Sequence, residues 1–487
     1  MTTAMHWLPD LADASARLLF QRGLALVYLI AFVVARNQFR GLLGSGGLTP
    51  VASFVARVPF RRAPSVFHWR CSDRAFLAVT WTGIALAAMA LVGLFDRAPI
   101  ALTMAAWALL WALYLSIVNV GQLWYSFGWE SLLCEAGFLA IFLGPVDVEA
   151  PAVILVLLWW LLFRVELGAG LIKLRGDPCW RDLTCLQYHH ETQPMPNPLS
   201  RWFHLLPGPL HRVEVAANHV AQLVAPVLLF APQPIRTGAA VLMIVTQAYL
   251  MLSGNFAWLN LLTIVIALAA LDGGFIESLV GLAPPTGLAP APLWFEVVVA
   301  LAAALVVALS IGPARNLLSP HQRMNASFDP LRLVNTYGAF GSVTRTRDEL
   351  VIEGTDDPDP GPESVWREYG FKGKPTDPAQ RPRQVAPYHL RLDWLLWFVP
   401  LSSSYADPWF VPFLRGLLEN DPDICSLLGR NPFPDEPPAA VRARRYRYRY
   451  ATRDERRATG HHWTRTPLGD FVRPVTLASL PRDRRWV

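Results

Sequence analysis

Lys173 closes an apolar run that extends from Val153 to Leu171 and also carries Arg164 and Glu166. A lysine at the edge of an apolar helix ordinarily snorkels to the interface. Held in a dry cavity, the same amine loses proton affinity and becomes a usable base near neutrality. Lys173 is therefore read first as a structural anchor and second as a catalytic base. Glu166 lies two helical turns earlier, about 10 Å away, so direct pairing is not expected; Glu135 or Asp177 would reach Lys173 instead. Glu130 and Glu135, in the segment Trp129–Glu135, are about 140° apart around a helix and do not share a face. Glu130 could cap a helix start. Glu135 lies a turn deeper and needs a cation, with Arg164 or Lys173 available. For these buried charges structural pairing is expected over catalysis, although charges at the end of a span are functional candidates by default.

Beyond Lys173 the chain enters a loop, residues 173–212, dense in Trp, His, Cys and Pro. Asp177, Arg181, Asp182 and Glu191 are among its charged members. Cys179 and Cys185 could bridge in an oxidising compartment, whereas Cys71, Cys134 and Cys425 read as isolated, small, buried residues. His189-His190-Glu191 invites a zinc reading. Adjacent histidines in an extended loop point opposite ways, however, and no HxxxH or HExxH spacing occurs. His204, His211 and His219 are scattered, so neither a metal nor a cofactor is expected. Met195-Pro196 and Asn197-Pro198 stiffen the loop. Trp180, Tyr188 and Trp202 suit it to the headgroup level or to the underside of another domain. The sequence contains no GxSxG elbow and no Gly-rich phosphate loop, so the chain does not read as a lipase itself.

The elements that position these residues follow from composition. Of 487 residues, 53% are hydrophobic and 16% charged, against about 25% charged in a soluble domain. Residues 75–118, 131–172 and 213–311 are nearly free of charge, whereas 312–487 is rich in it. Nine apolar stretches stand out, near 18–35, 75–94, 99–118, 131–145, 152–172, 213–231, 236–252, 256–271 and 294–311. A span needs about 20 apolar residues. The fourth and eighth stretches are short, and either could be re-entrant or buried in the bundle. The expected fold is a polytopic α-helical membrane bundle of about seven to nine spans with a C-terminal β-rich soluble domain, α+β or sandwich-like. The division is 1–74 (first span and basic loop), 75–311 (multi-pass bundle including the 173–212 loop) and 312–487 (extramembrane domain). No removable signal peptide is evident in the first 16 residues.

The net charge of +6 sits in short loops and the tail, which favours topology and anionic-lipid contact over nucleic acid. Loop 36–74 holds seven arginines against Asp73 alone, which places it in the cytoplasm by the positive-inside rule. The loop at Asp147 and Glu149 and the Pro-rich turn 284–292 then lie outside. With nine spans, the 173–212 loop and the C-terminal domain fall in the cytoplasm. Within that domain, Arg345–Glu353, Val365–Lys372 and Tyr388–Phe398 read as strands, the last ambiguous with a short helix. Trp409–Glu419 reads as a helix, and Arg442–Tyr450 as a strand with arginines and tyrosines on opposite faces.

The segment GAGLIKLRGDPCWRDLTCLQYHHETQPMPNPLSRWFH closely resembles the central signature of the lipase maturation factor family. The resemblance includes GWESLLCEAGFLAIFL and resumes in DPLRLVNTYGAFGSVTRTRDELVIEGTDD, in WREYGFKGKPTDPAQRPRQVAPYHLRLDWLLWF and in RNPFPDEPPAAVRARRYRYRY, covering most of residues 119–450. It implies a non-enzymatic membrane protein, of the endoplasmic reticulum in animals, that helps exported lipases fold and assemble. The C-terminal domain would face the export side and meet the client. Trp366, Tyr369, Tyr388, Trp394, Trp397 and Trp409 are then candidate client contacts, and membrane lipids the other partner. Ala-, Arg- and Pro-rich composition with short loops points to a bacterial member in an inner membrane. Gly170-Leu171-Ile172-Lys173 followed by Trp180 is also similar to a pattern in the vitamin K-dependent γ-carboxylase and related horizontally transferred transmembrane-helix proteins. That match implies an alternative: an integral-membrane enzyme with Lys173 as general base on a quinone-like or lipid substrate. The export-side placement conflicts with the positive-inside assignment. An odd number of spans between residues 75 and 172 would reconcile them.

Overall fold

A computed structural model describes residues 13–283 and 286–481. The N-terminal segment, which shows no removable signal peptide in its sequence, lies outside it up to residue 12, as do Pro284 and Pro285 of the Pro-rich turn. Among the described residues, six helices are long and apolar enough to cross a membrane: α1 (Ala14–Leu43), α2 (Asp73–Leu91), α3 (Ile100–Val120), α5 (Ala152–Arg175), α8 (Ile235–Ser253) and a last span, Leu293–Leu318, whose first part is α11 (Leu293–Leu309). A seventh is formed if α9 (Leu259–Leu268) and α10 (Gly273–Val280), bent by 117° at their break, count as one. The count thus meets the expected seven to nine at its lower edge. Capping follows the sequence: Asp13 accepts from the Ala16 amide, Ser72 from the Ala75 amide, and prolines precede α3, α5 and α11.

Three expected stretches do not make spans of their own. Residues 131–145 fall largely in α4 (Gly128–Ala140), 13 residues long and buried throughout, so it is walled by protein rather than lipid. The eighth stretch is the bent α9–α10 pair. The stretch 213–231 is broken: α6 (Leu186–Thr192) is followed by α7 (Gly208–His219), which runs into a π-helical turn at Val220–Val224. Pro226 just beyond lacks the N–H that would close the ladder on Gln222, which accounts for the irregular turn.

The loops collect on two faces. On one, Gln38 donates to the His389 carbonyl (2.7 Å), Gln122 to Thr49 (2.9 Å) and Asn255 to Arg383 (2.9 Å). On the other, the Val146 amide meets Asp96 (2.8 Å) and the Ala289 amide meets Asp147 (2.9 Å). The basic loop 36–74, the 173–212 segment and the C-terminal domain therefore share one face. Although too short to count as a span, α4 carries the chain from Phe127, beside His389, to Val146, beside Asp96, so with α2, α3 and α5 it makes four passages between the first two. That is an even number, and the odd crossing that would reconcile the topology arguments is not supplied.

The C-terminal domain is built on a four-stranded antiparallel sheet of order β2-β1-β3-β4, with β1 Arg347–Thr355, β2 Arg367–Glu368, β3 Ala440–Tyr450 and β4 Trp463–Val475. In β3 the expected alternation holds: Arg445, Arg447 and Arg449 are exposed, and Tyr446, Tyr448 and Tyr450 are buried with Val351 and Trp463. Helix α13 (Phe410–Leu418) follows the expected Trp409–Glu419. Other expectations are corrected. Val365–Lys372 keeps only the two-residue β2. Tyr388–Phe398 is not a strand but contains α12 (Arg391–Leu396). Asp393 of that helix accepts the Gly373 (2.6 Å) and Lys374 (3.1 Å) amides, turning the chain after β2 toward it. Of the three lone cysteines only Cys134 is buried; Cys425 is half-buried and Cys71 is exposed.

Candidate functional site

Lys173 lies on the inner face of α5, and its neighbours come from three other helical elements. Its ammonium donates to Gln222 Oε1 (2.7 Å) and Asn218 Oδ1 (3.2 Å) and sits 4.9 Å from the centre of the Trp180 ring. Gln222 Nε2 donates to Glu166 (3.1 Å), which also accepts from Gln247 (2.7 Å), and Gln247 accepts from Asn260 (2.6 Å). The result is a buried polar chain, Lys173–Gln222–Glu166–Gln247–Asn260. Glu166 and Lys173 are coupled through an amide rather than directly, as their spacing suggested. The anticipated partners of Lys173 are engaged elsewhere: Glu135 with Arg164 and Asp177 with Arg345. Lys173, Glu166 and Gln222 line a cavity of about 1210 Å³ whose wall is otherwise mainly apolar, with Phe256, Phe340 and Trp397 among the lining. A space of this kind suits a ligand with a long apolar part and one polar end.

The two acids of α4 hold the C-terminal region. Glu130 is fully buried, accepts from the Tyr114 hydroxyl and pairs with Arg391 (2.7 Å). The Arg391 guanidinium also donates to the Trp124 carbonyl (2.5 Å) and lies 3.4 Å from the Tyr125 ring centre. Glu135 pairs with Arg164 and accepts from the Asn335 amide (3.0 Å) and the Tyr337 hydroxyl (2.7 Å). Segment 335–341 can lie on α5 because of two glycines. A Cβ at Gly168 would meet the Tyr337 carbonyl oxygen at 2.4 Å, and one at Gly176 the Gly341 oxygen at 2.1 Å.

The 173–212 segment is not an extended loop. It folds into short helical turns, because Asp177, Asn197 and Cys185 start or brace them. Asp177 caps the Cys179 amide (3.0 Å) and forks onto Arg345 (2.7 and 3.0 Å); the guanidinium holds its carboxyl below the usual carboxylate range. Cys179 and Cys185 form a disulfide, their Cα atoms 4.8 Å apart. The Trp180 indole donates to the Phe340 carbonyl (2.8 Å), and Tyr188 lies 4.8 Å under Arg345. Asn197 caps the Ser200 amide (2.9 Å) and donates to Leu252 (3.0 Å). Glu191 accepts from the Tyr450 amide (2.8 Å). Arg181 and Asp182 are exposed and stand apart from this buried set, and Trp202 is exposed as well.

Three features escape sequence reasoning. Arg347, Glu349 and Lys374 form a fully buried triad, and Arg347 donates to the carbonyls of Glu191 (2.9 Å), Gln193 (2.5 Å) and Pro194 (3.1 Å). The signature segment is thereby clasped by β1. His189 and His190 lie on one helix, α6, rather than in extended chain. His189 turns into the cavity against Phe340 (4.8 Å between ring centres), where burial pushes its pKa down to about 3 and keeps it neutral. His190 turns the other way, toward His211 and Glu214. Nothing in the spacing of these three marks them as neighbours.

The candidate client contacts divide. Tyr369, Trp394 and Trp409 are buried and unavailable to a partner: Trp394 against Trp129 (5.0 Å) and Trp409 against Trp124 (5.4 Å) fasten the domain to the bundle, whereas Tyr369 packs on Phe433 (5.8 Å) within the domain. Trp366, Tyr388 and Trp397 remain partly exposed.

A helical membrane bundle and a sheet domain, joined through buried ion pairs and a clasped loop, define a polytopic membrane protein with a fixed extramembrane domain. The family model described as the lipase maturation factor transmembrane domain matches residues 15–278, and that described as its C-terminal domain matches 333–473. The chain belongs to the lipase maturation factor family. It is 39% identical to lipase maturation factor 1 of Mus musculus, over 96% of this chain and 89% of that one. With lipase maturation factor 1 of Bos taurus the identity is 41%, over 96% and 91%. With lipase maturation factor 2 of Homo sapiens it is 27%, over 95% and 82%. No solved structure matches it.

Proposed function

We propose that this protein assists the folding or assembly of an exported, lipase-like protein, acting from a bacterial inner membrane. The observation that carries the reading is collinear similarity to lipase maturation factor 1 over 96% of the chain, through both the bundle and the sheet domain. The geometry agrees with it: a domain fixed by Glu130–Arg391 and by the Arg347 clasp is a stationary platform beside the membrane. Trp366, Tyr388 and Trp397 offer amphipathic surface there to a partly folded client. The face bearing this domain is assigned to the export side, in keeping with the disulfide on that face. The chemistry at Lys173 supports a second reading, a membrane enzyme whose base acts on a lipid or quinone-like molecule in the cavity.

One experiment separates the two readings. A secreted homodimeric lipase is co-expressed with wild type or with Lys173→Ala, and lipase activity per mass of secreted lipase is measured. The folding-factor reading expects wild type to raise specific activity and the variant to retain most of that gain. Loss of the gain in a variant that accumulates normally in the membrane supports the enzyme. No gain from wild type overturns the lipase client.

A further inference from the structure

His190, His211 and Glu214 reach one point from two helices. The His211 ring Nδ1 lies 2.8 Å from Glu214 Oε2, and His190 Nε2 lies 3.8 Å from the same oxygen, too far for a hydrogen bond. One ligand atom from each residue falls within 4.8 Å of the others. His190 is 1% exposed, yet neither of its ring nitrogens has a hydrogen-bond partner. A neutral imidazole carries one donor and one acceptor, so a buried ring with both idle lacks something. The other oxygen of Glu214 accepts from the Tyr249 hydroxyl, which fixes the carboxylate's orientation. The buried ring of Phe203 packs on both His190 (5.6 Å) and Tyr249 (5.0 Å).

We infer that His190, His211 and Glu214 form a zinc site that ties α6 to α7. Two imidazoles and one carboxylate are a nitrogen and oxygen set of the kind that holds zinc with a fourth position open. Ligand atoms about 2.1 Å from a tetrahedral ion stand about 3.4 Å apart, so bond formation requires the widest separation seen here to close by at most about 1.4 Å and the His211–Glu214 contact to open by about 0.6 Å, within reach of side-chain rotation. The negative carboxylate offsets part of the ion's charge in this enclosed place. Glu214 and Tyr249 also line the large cavity, which gives the ion an entry path and turns the open position toward it. The Tyr249–Glu214 hydrogen bond is the kind of outer partner that orients a ligating carboxylate. The ion would set the angle between the signature segment and α7, and through Asn218 and Gln222 the surroundings of Lys173. The inference does not rest on the identity of any client.

The full chain, purified in detergent and stripped with a chelator, is equilibrated with a small excess of zinc sulfate, desalted and assayed for metal by mass spectrometry. About one zinc per chain is expected for wild type and for His321→Ala, an exposed histidine outside the cluster. His190→Ala and Glu214→Gln should lose it, and Tyr249→Phe should weaken retention about tenfold. Because a ligand variant could fail to fold, wild type is also loaded with cobalt(II), whose tetrahedral visible absorption zinc should abolish. Wild type that takes up neither metal overturns the proposal. So does zinc that persists in both folded ligand variants, since it would then be bound elsewhere.

Discussion

At the scale of single residues, the buried charges are set by pairing, and pairing makes definite predictions. Arg391 and Glu130 are both fully buried and contact each other at 2.7 Å. Removing one partner strands the other in a low-dielectric site, which typically costs about 3–5 kcal/mol, whereas replacing both with apolar groups is often neutral. Arg391→Ala should therefore lower the unfolding free energy in detergent by roughly that amount, and Glu130→Leu with Arg391→Leu should recover most of it. A double variant as unstable as the single would mean that the Trp124 carbonyl contact, not the ion pair, dominates. His189 supplies a pH dependence. Its pKa is depressed from 6.5 to about 3 in the folded chain by burial. The unfolded chain thus binds the extra proton first as pH falls. Stability from this group is complete above pH 6.5 and is lost progressively toward pH 3, with a slope approaching about 1.4 kcal/mol per pH unit. His189→Phe, which keeps the packing on Phe256 and Phe340, should flatten the denaturation midpoint between pH 6 and pH 4 relative to wild type. An unchanged slope would assign the acid sensitivity to other groups. These residues differ in legibility. Glu135 announced its need for a cation, and Arg164 answered within the same bundle. His190, His211 and Glu214 gave no sign, because their approach depends on how two short helices cross.

At the scale of elements, the sequence revealed which stretches are apolar but not which of them touch lipid. α4 is shorter and less apolar than α3 and α5, and its burial depends on the helices around it. The 213–231 stretch looked continuous because a single proline, Pro226, barely alters hydropathy while it redirects the backbone hydrogen bonds. Tyr388–Phe398 carried both strand and helix signals, and the tertiary bond from Asp393 decided for helix. Glycines of the signature were visible as composition, but their purpose was not. Gly168 matters because the Tyr337 backbone passes where its Cβ would stand. The obstacle is backbone and cannot swing aside. Gly168→Ala should push segment 335–341 off α5 and loosen Asn335 and Tyr337 from Glu135, with a destabilisation of about 1–3 kcal/mol. Limited proteolysis in detergent should then cut within that segment much faster than in wild type. Gly46→Ala, where an added Cβ meets nothing within 4 Å, serves as the matched control. Equal protection of both variants would show that the segment is held by the Asp177–Arg345 fork instead.

At the scale of the whole molecule, sidedness is one question rather than three, because the basic loop, the signature segment and the sheet domain occupy a common face. Gln38–His389 and Arg391–Glu130 tie the end of α1 and the start of α4 to the same α12 region. The seven arginines of loop 36–74 and the Cys179–Cys185 disulfide on that face point to opposite compartments. Charge bias is a statistical pull on insertion, whereas a disulfide reports the redox poise that the folded chain meets. The export side is therefore the expected location. Cys71 offers the measurement. It is the exposed cysteine of the three without a disulfide, it lies in the basic loop, and Ser45 and Asp73 (3.0 Å) hold its surroundings to the end of α1. Burial and Asp73 raise its thiol pKa, so labelling with a membrane-impermeant maleimide is run at about pH 8.5 to supply thiolate. In intact cells Cys71 should label to the same extent as after detergent opening, and Cys71→Ser should label in neither. Such labelling places the sheet domain where an exported client could meet it. Labelling only after opening would put the whole face in the cytoplasm. The client reading would then fall, and the Lys173 cavity, which needs no exported partner, would become the functional centre of the molecule.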